Sequence, residues 1–115
     1  MTPEPNVPLD EESLAGADPA AIHSALFGQL VAGHGQMALM FLGCIENPHT
    51  GRKEAPQPEA AKIFIDQLEM IAAKTRGNLD AGEIQLLERT IAVVHHEFVA
   101  LIDRLNDPDG PRDPG

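Results

Sequence analysis

Apolar residues recur at intervals of three and four along three stretches of the chain, which is the spacing of amphipathic α-helices. The predicted helices cover about residues 19–43, 58–76 and 81–105. Asp18 followed by Pro19 is a typical helix start, and Gly43 is a typical residue at a helix end. The pattern predicts an all-α fold of three helices. Residues 44–57 would then form a crossover loop between the first two helices.

The connection between the second and third helices carries the strongest local signals in the chain. Lys74 places a cation in the last turn of the second helix, and Gly77 follows that turn. Asp80 and Glu83 have the spacing of a capping box at the start of the third helix. Because so short a connection makes consecutive helices antiparallel neighbours, we predict a helical hairpin. Its junction consists of Lys74, Gly77, Asn78, Leu79, Asp80 and Glu83.

The third helix presents more apolar surface than one partner helix can cover. Its main seam has the spacing of coiled-coil a and d positions over three heptads. The seam consists of Ile84, Leu87, Ile91, Val94, Phe98, Leu101 and Leu105. A second apolar line consists of Leu86, Val93 and Ala100. We interpret the polar residues Thr90, Glu97 and Arg104 as a boundary between two contact surfaces.

The first helix carries one line of small residues and one line of large residues. The small line is Ala25, Gly28, Ala32 and Gly35, which continues into Leu39 and Leu42. The large line is Phe27, Leu30, Met37 and Phe41. Glycine inside a helix costs about 1 kcal/mol relative to alanine, and close approach of another helix would offset that cost. The alternative is a helix that is kinked or broken near Gly33–Gly35.

Long helices in a chain of this size leave one apolar line uncovered in a monomer, so we predict self-association into a helical bundle. The expected assembly is a homodimer, with a tetramer as the alternative. The hypothetical interface consists of Ala25, Gly28, Ala32, Gly35, Leu39, Leu42, Leu86 and Val93.

The net charge of −10 is concentrated at the two ends of the chain. Residues 1–17 and 106–115 are acidic and rich in proline, so we expect disordered tails on either side of a helical domain at 18–105. The middle of the chain has no basic stripe, and the chain has no Trp or Tyr for base stacking, which argues against nucleic-acid binding.

Neither a membrane nor an oxidising compartment is expected. The longest unbroken apolar run, Met37–Leu42, is far shorter than the ~20 residues that span a bilayer. The N-terminal residues do not resemble a signal peptide, and the single cysteine fits a reducing compartment. The sequence therefore predicts a cytoplasmic protein that contacts no membrane.

The histidines are the first candidates for chemistry. His34 lies on the large line of the first helix, where it is either a buried histidine or, with Met37, an axial haem ligand. His95 and His96 are adjacent, so on a helix they diverge by about 100° and cannot chelate one ion together. We expect no metal and no cofactor.

Cys44 is the other candidate. It is either a small buried apolar residue, the interpretation that we favour, or a reactive thiol whose pKa is lowered by Arg52 and Lys53. The only Glu-x-x-His pair, Glu46 with His49, lies in the predicted loop, whereas di-iron bundles place such pairs on helices. Because no phosphate-binding loop or nucleophile elbow is present either, we expect no catalytic residue and no enzymatic activity.

Several segments together resemble the bacterial domain of unknown function (DUF) 1844 family. They are Gly28–Val31, Ala38–Gly43, Thr50–Gly51, Ala61–Lys62, Ile65–Leu68, Lys74–Leu79 and Leu87–Glu88. The resemblance runs from about Ile22 to Leu105, and the Lys-Thr-Arg-Gly-Asn-Leu segment is its most specific part. It implies a small bacterial helical protein, and it brings no known activity, cofactor or catalytic residue.

These observations favour a non-enzymatic, homo-oligomeric helical protein that acts as an interaction or scaffold module toward an unknown protein partner. One alternative is a bundle that binds a small ligand in a groove lined by Phe27, Met37, Phe41 and the loop. Another is a regulatory adaptor of a larger complex, which would expose an apolar patch after oligomerisation.

Overall fold

The computed structural model describes residues 18–107, and in this part of the chain it contains three α-helices and no β-strand. The helices are α1 (Pro19–Phe41), α2 (Pro58–Lys74) and α3 (Ala81–Leu105). The predicted all-α class and the three helices are confirmed. The tails predicted at 1–17 and 106–115 lie outside the described residues, except that Asn106 caps α3 and Asp107 follows it.

Helix α1 is continuous through its glycines, so the predicted alternative of a broken helix near Gly33–Gly35 is wrong. The side chain of Asp18 accepts a hydrogen bond from the Ala20 amide at 3.4 Å and caps the N-terminus. At the other end, Gly43 adopts a positive φ of 79°. The amides of Gly43 and Cys44 then donate to carbonyls of the last turn in a Schellman motif, which ends the helix at Phe41.

The connection between α2 and α3 is stabilised by side-chain capping. Helix α2 ends at Lys74, and Gly77 turns the chain with a φ of 85°. The capping box predicted at the start of α3 is present. The Glu83 amide donates to Asp80 Oδ1 at 2.8 Å, and the Asp80 amide donates to Glu83 Oε1 at 2.9 Å.

All three helices pack against one another around a small apolar core. The larger buried cluster consists of Val31, Ala38, Ile65, Leu68, Leu87 and Val94. The smaller consists of Leu42, Ala61 and Leu101. Each cluster takes residues from α1 or its end, α2 and α3, so every helix completes the burial of the other two.

The residues after α1 return the chain to the start of α2. Gly43 packs against the Glu54 carbonyl and Pro56, and the Gln57 amide donates to the Phe41 carbonyl at 2.6 Å. An isolated bridge joins Asn47 and Arg52. These contacts hold the start of α2 beside the end of α1.

Candidate interaction surfaces

The small line of α1 packs against α3 of the same chain. A Cβ built on Gly28 would lie 3.6 Å from Leu86 Cδ2, and one on Gly35 would lie 2.7 Å from Thr90 Cγ2. We call this contact, between Gly28 and Gly35 on α1 and Leu86 and Thr90 on α3, the α1/α3 seam. A side chain at position 35 would collide with the Thr90 methyl group unless one of the two residues moved.

The residues of the predicted oligomer interface lie along the α1/α3 seam, and they differ in how much of their surface is exposed. Gly35 and Leu42 are buried by the chain itself and offer no surface to a partner. Those that are half-buried are Gly28, Leu39 and Leu86. Those that remain exposed are Ala25, Ala32 and Val93, the last with 47% of its surface accessible.

Two of the three polar residues that we interpreted as a boundary, Thr90 and Glu97, contact α1 or the residues just after it, whereas Arg104 is exposed. Thr90 faces Gly35, and its hydroxyl donates to the Leu86 carbonyl at 2.8 Å. Glu97 accepts a hydrogen bond from the Cys44 thiol, with Sγ and Oε2 3.6 Å apart. For Thr90 the boundary interpretation is wrong, because the absence of bulk at Gly35 makes room for Thr90 within the contact.

The large line of α1 faces α2 through a polar pair. His34 Nε2 lies 2.8 Å from Gln67 Oε1, and His34 Nδ1 lies 3.1 Å from the Leu30 carbonyl oxygen. Because a carbonyl only accepts, Nδ1 carries a proton. In the neutral ring, Nε2 is then an acceptor, which the Gln67 amide satisfies if its oxygen and nitrogen are exchanged. With both ring nitrogens engaged, axial haem ligation with Met37 is not favoured.

Aromatic contacts continue this interface. The Phe64 ring packs edge-on to His34 with centroids 5.7 Å apart, and it stacks on Phe41 at the same centroid distance. Phe41 at the end of α1 accepts a hydrogen bond from the Gln57 amide just before α2, whereas the earlier residue His34 pairs with Gln67, so α1 and α2 run in opposite directions.

Four large apolar side chains border the His34–Gln67 pair on the outside. Leu30 and Met37 on α1 are 46% and 37% exposed, and Ile63 and Met70 on α2 are 56% and 49% exposed. We call these four residues the α1/α2 surface. The α1/α2 surface was not predicted from the sequence, because no apolar line that includes Ile63 and Met70 was identified on α2. The available signal was their spacing of i−4 and i+3 around Gln67.

A shallow groove of about 510 Å³ adjoins this surface. It lies between the outer side of α1 and the loop, and its apolar lining includes Met37, Met40, Ile45 and Pro48. The predicted ligand groove included Phe27 and Phe41. Both instead pack against the core clusters.

Cys44 is partly buried beside the smaller core cluster. Burial raises the pKa of its thiol, and the nearby carboxylate of Glu97 raises that pKa further. Arg104 and Lys53 lower the pKa but do not reverse the shift. This shift is opposite in direction to the one that a reactive thiol requires.

The residues of the predicted hairpin junction border a cavity of about 310 Å³. Gly77 and Leu79 line it together with Ala72 of α2 and Ile84 and Leu87 of α3. Lys74, Asn78 and Asp80 are exposed. Leu79 packs against the core. The junction supplies no group of acids, bases and nucleophiles that could act together.

The remaining candidates for chemistry are dispersed. His95 and His96 are exposed on α3, and Glu46 and His49 are exposed in the loop. Among residues 18–107, no three His, Cys, Asp or Glu side chains are grouped so that they could hold a metal ion. In the same part of the chain, no helix is both long and apolar enough to cross a bilayer.

The fold and these surfaces define a small three-helix protein whose distinctive features are apolar surfaces. Residues 24–100 match the family described as Domain of unknown function (DUF1844), so the chain belongs to that family. Comparison with curated proteins and with solved structures gives no significant match.

Proposed function

We propose that this protein is a non-enzymatic interaction module of the bacterial cytoplasm that works as a homo-oligomer, with the homodimer as its basic form and the tetramer as the alternative. Its acidic tails keep it in solution, and an unknown protein partner binds the assembled module. The single observation that carries the proposal is the α1/α2 surface, where four large apolar side chains remain about half exposed.

The size of these side chains makes the observation significant. Scattered apolar residues are normal on protein surfaces, but a contiguous apolar patch is uncommon on monomeric proteins and marks interaction sites. The three methionines among the described residues, Met37, Met40 and Met70, all lie on this surface or in its adjoining groove. Methionine adapts to different partners because its side chain is flexible and polarisable.

The proposed module contains an antiparallel α2/α3 hairpin. Two contacts support this arrangement. Ala61, near the start of α2, clusters with Leu101 near the end of α3, whereas Ala72, near the end of α2, shares a cavity lining with Leu87 near the start of α3. The hairpin forms one side of the bundle, and α1 lies against it.

Self-association is tested by light scattering after size exclusion over a wide range of protein concentration. We expect the mass of a dimer, or of a tetramer, at the highest concentrations. A constant monomer mass throughout the range would refute the proposal. The partner is sought by affinity purification of the full chain from its source cells. We expect a stoichiometric protein that is not retained by a variant that fails to self-associate, because the partner binds the assembled module.

Binding of a small apolar ligand is the second candidate function, and the groove beside the loop favours it. The groove is open and its lining is mostly apolar, with Met37, Met40 and Ile45 on its walls. Native mass spectrometry of the protein purified from source cells tests this candidate. A copurified molecule that Met40→Asp releases would support it, and mass spectra of the bare chain alone would count against it.

A further inference from the structure

The α1/α2 surface has an internal symmetry that indicates what covers it. On α1, Leu30 and Met37 lie four residues before and three residues after His34. On α2, Ile63 and Met70 lie at the same offsets from Gln67. Residues at these offsets share one helix face with the central residue. Each helix therefore presents the same row, an apolar residue on either side of a polar one.

The hydrogen bond between His34 and Gln67 sets the two rows at the same height. The midpoint between Leu30 and Met37 falls beside His34, and the midpoint between Ile63 and Met70 falls beside Gln67. A two-fold axis can be placed in the plane of the surface so that it crosses both helices at this height. Rotation about this axis superposes each row on itself with the order of its residues reversed. A second copy related by this axis therefore presents the same rows to the first copy, in reverse order.

We infer that a second copy of this chain covers the α1/α2 surface through this two-fold axis, with α1 against α1 and α2 against α2 in antiparallel pairs. Leu30 then meets Met37 of the second copy, and Ile63 meets Met70 of the second copy. The inference rests on the proposed self-association and names the surface that performs it. The four helices form a two-layer arrangement, and the α1/α3 seams lie away from the contact.

The charges on α2 agree with this register. Glu59 lies four residues before Ile63, and Lys74 lies four residues after Met70, so both extend the α2 row; both are exposed. The same axis brings Lys74 of one chain opposite Glu59 of the second copy, and this pair occurs twice. A parallel pairing of the two rows would place like charges together, so the charge pattern favours the antiparallel dimer.

Gly33 supplies an independent reason to expect close approach at the axis. A Cβ at Gly33 would meet no atom within 4 Å, whereas Gly28 and Gly35 both face side chains of α3. Packing against Thr90 therefore explains Gly35, and a Cβ at Gly28 would make an ordinary contact with Leu86, but no contact within the chain explains Gly33. Gly33 lies between Leu30 and Met37 on the α1 row, where the two α1 helices of the dimer would come nearest.

The test compares two lysine variants on the surface with two matched lysine variants elsewhere. Ile63→Lys and Met70→Lys place charges in the proposed contact. Val93→Lys and Val99→Lys place the same charge at α3 positions of similar exposure, 47% and 42%. Light scattering at a concentration where the natural chain is a dimer should give a monomer mass for the first two and a dimer mass for the controls. Circular dichroism should show the same helix content in all four.

A charge exchange tests the register and does not depend on the lysine variants. Lys74→Glu and Glu59→Lys should each raise the dissociation constant of the dimer roughly threefold to tenfold, because each creates two like-charge pairs. The double variant should restore the dissociation constant of the natural chain. A dimer that persists in Ile63→Lys, that is lost in Val93→Lys, or that the double exchange does not restore would overturn the inference and leave the proposed oligomer standing. A natural chain that is monomeric at every concentration would refute both.

Discussion

Helix α1 is packed in opposite ways on its two sides. Toward α3 it presents glycines, and the helices approach until a single methyl group at position 35 would collide with Thr90. Toward α2 it presents large residues, and Leu30 and Met37 remain partly exposed beyond the contact. Small residues close a contact between two helices of one chain, whereas large residues extend past that contact and leave apolar surface for another molecule.

The two lines of α1 give the same kind of signal in the sequence, but they serve different contacts. A line of small residues and a line of large residues each indicate that a helix has neighbours. The chain's own α3 already occupies the small line at Gly28 and Gly35. The large line is only partly covered by α2. Four substitutions can break or sharpen this division, and their expected effects decrease in the order given.

The largest effect is expected at Leu42, which belongs to the predicted oligomer interface and is buried with Ala61 and Leu101. Leu42→Ala removes buried methyl groups and leaves a cavity, so we expect a loss of about 2–5 kcal/mol in the free energy of unfolding. Urea denaturation measures it. The loss should be the same at all protein concentrations, because Leu42 packs within the chain. A loss that appears only at high concentration would show instead that Leu42 acts between chains.

The next effect concerns the closest point of the α1/α3 seam. Gly35→Ala improves helix propensity but places its Cβ 2.7 Å from Thr90 Cγ2. Thr90 cannot rotate away without losing its hydrogen bond to the Leu86 carbonyl. We expect a net loss of about 1–3 kcal/mol by urea denaturation. Thr90→Ser removes the methyl group and should recover most of the loss in the double variant. Equal stability of Gly35→Ala and the natural chain would mean that the seam is looser than described.

The local signals in the sequence predicted helix ends and turns well. The Asp80 and Glu83 spacing predicted a capping box, and the structure contains it, because capping depends on neighbouring backbone groups alone. The pairing of helices was harder to predict. Nothing near Gly35 in the sequence says whether α3 of the same chain or a second chain approaches it. Likewise, the pairing of His34 with Gln67, 33 residues apart, depends on how the loop orients α2.

The third substitution addresses Gly33, the glycine with open space around it. Gly33→Ala should stabilise the separate chain by as much as about 1 kcal/mol, because alanine loses less backbone entropy in a helix and meets no atom within 4 Å. Denaturation at low protein concentration measures this gain. If two α1 helices approach closely there, the same substitution should weaken self-association at high concentration. A gain in stability at low concentration together with weaker self-association at high concentration would distinguish Gly33 from Gly35. A loss of stability at low concentration would contradict the open space around Gly33.

The smallest effect is expected at Glu97 of α3, which accepts a hydrogen bond from the Cys44 thiol just after the end of α1. Burial and the Glu97 carboxylate both raise the pKa of that thiol. Glu97→Gln removes the second cause, so the pKa of Cys44 should fall and a larger fraction should be thiolate at mildly alkaline pH. Because the thiolate is the nucleophile, alkylation by iodoacetamide should become faster. Lys53→Met is the matched control with the opposite sign, since Lys53 lowers the pKa of the thiol.

The raised pKa of Cys44 also predicts how the stability of the fold depends on pH. A thiol whose pKa is higher in the folded chain than in the unfolded chain keeps its proton longer when folded. Its contribution to stability is therefore complete below the ordinary thiol pKa and is lost as the pH rises toward the folded value. Glu97→Gln should make that alkaline decrease smaller. If alkylation of Glu97→Gln were no faster than that of the natural chain, Glu97 would not be close to Cys44, and the α1/α3 contact would end before the loop.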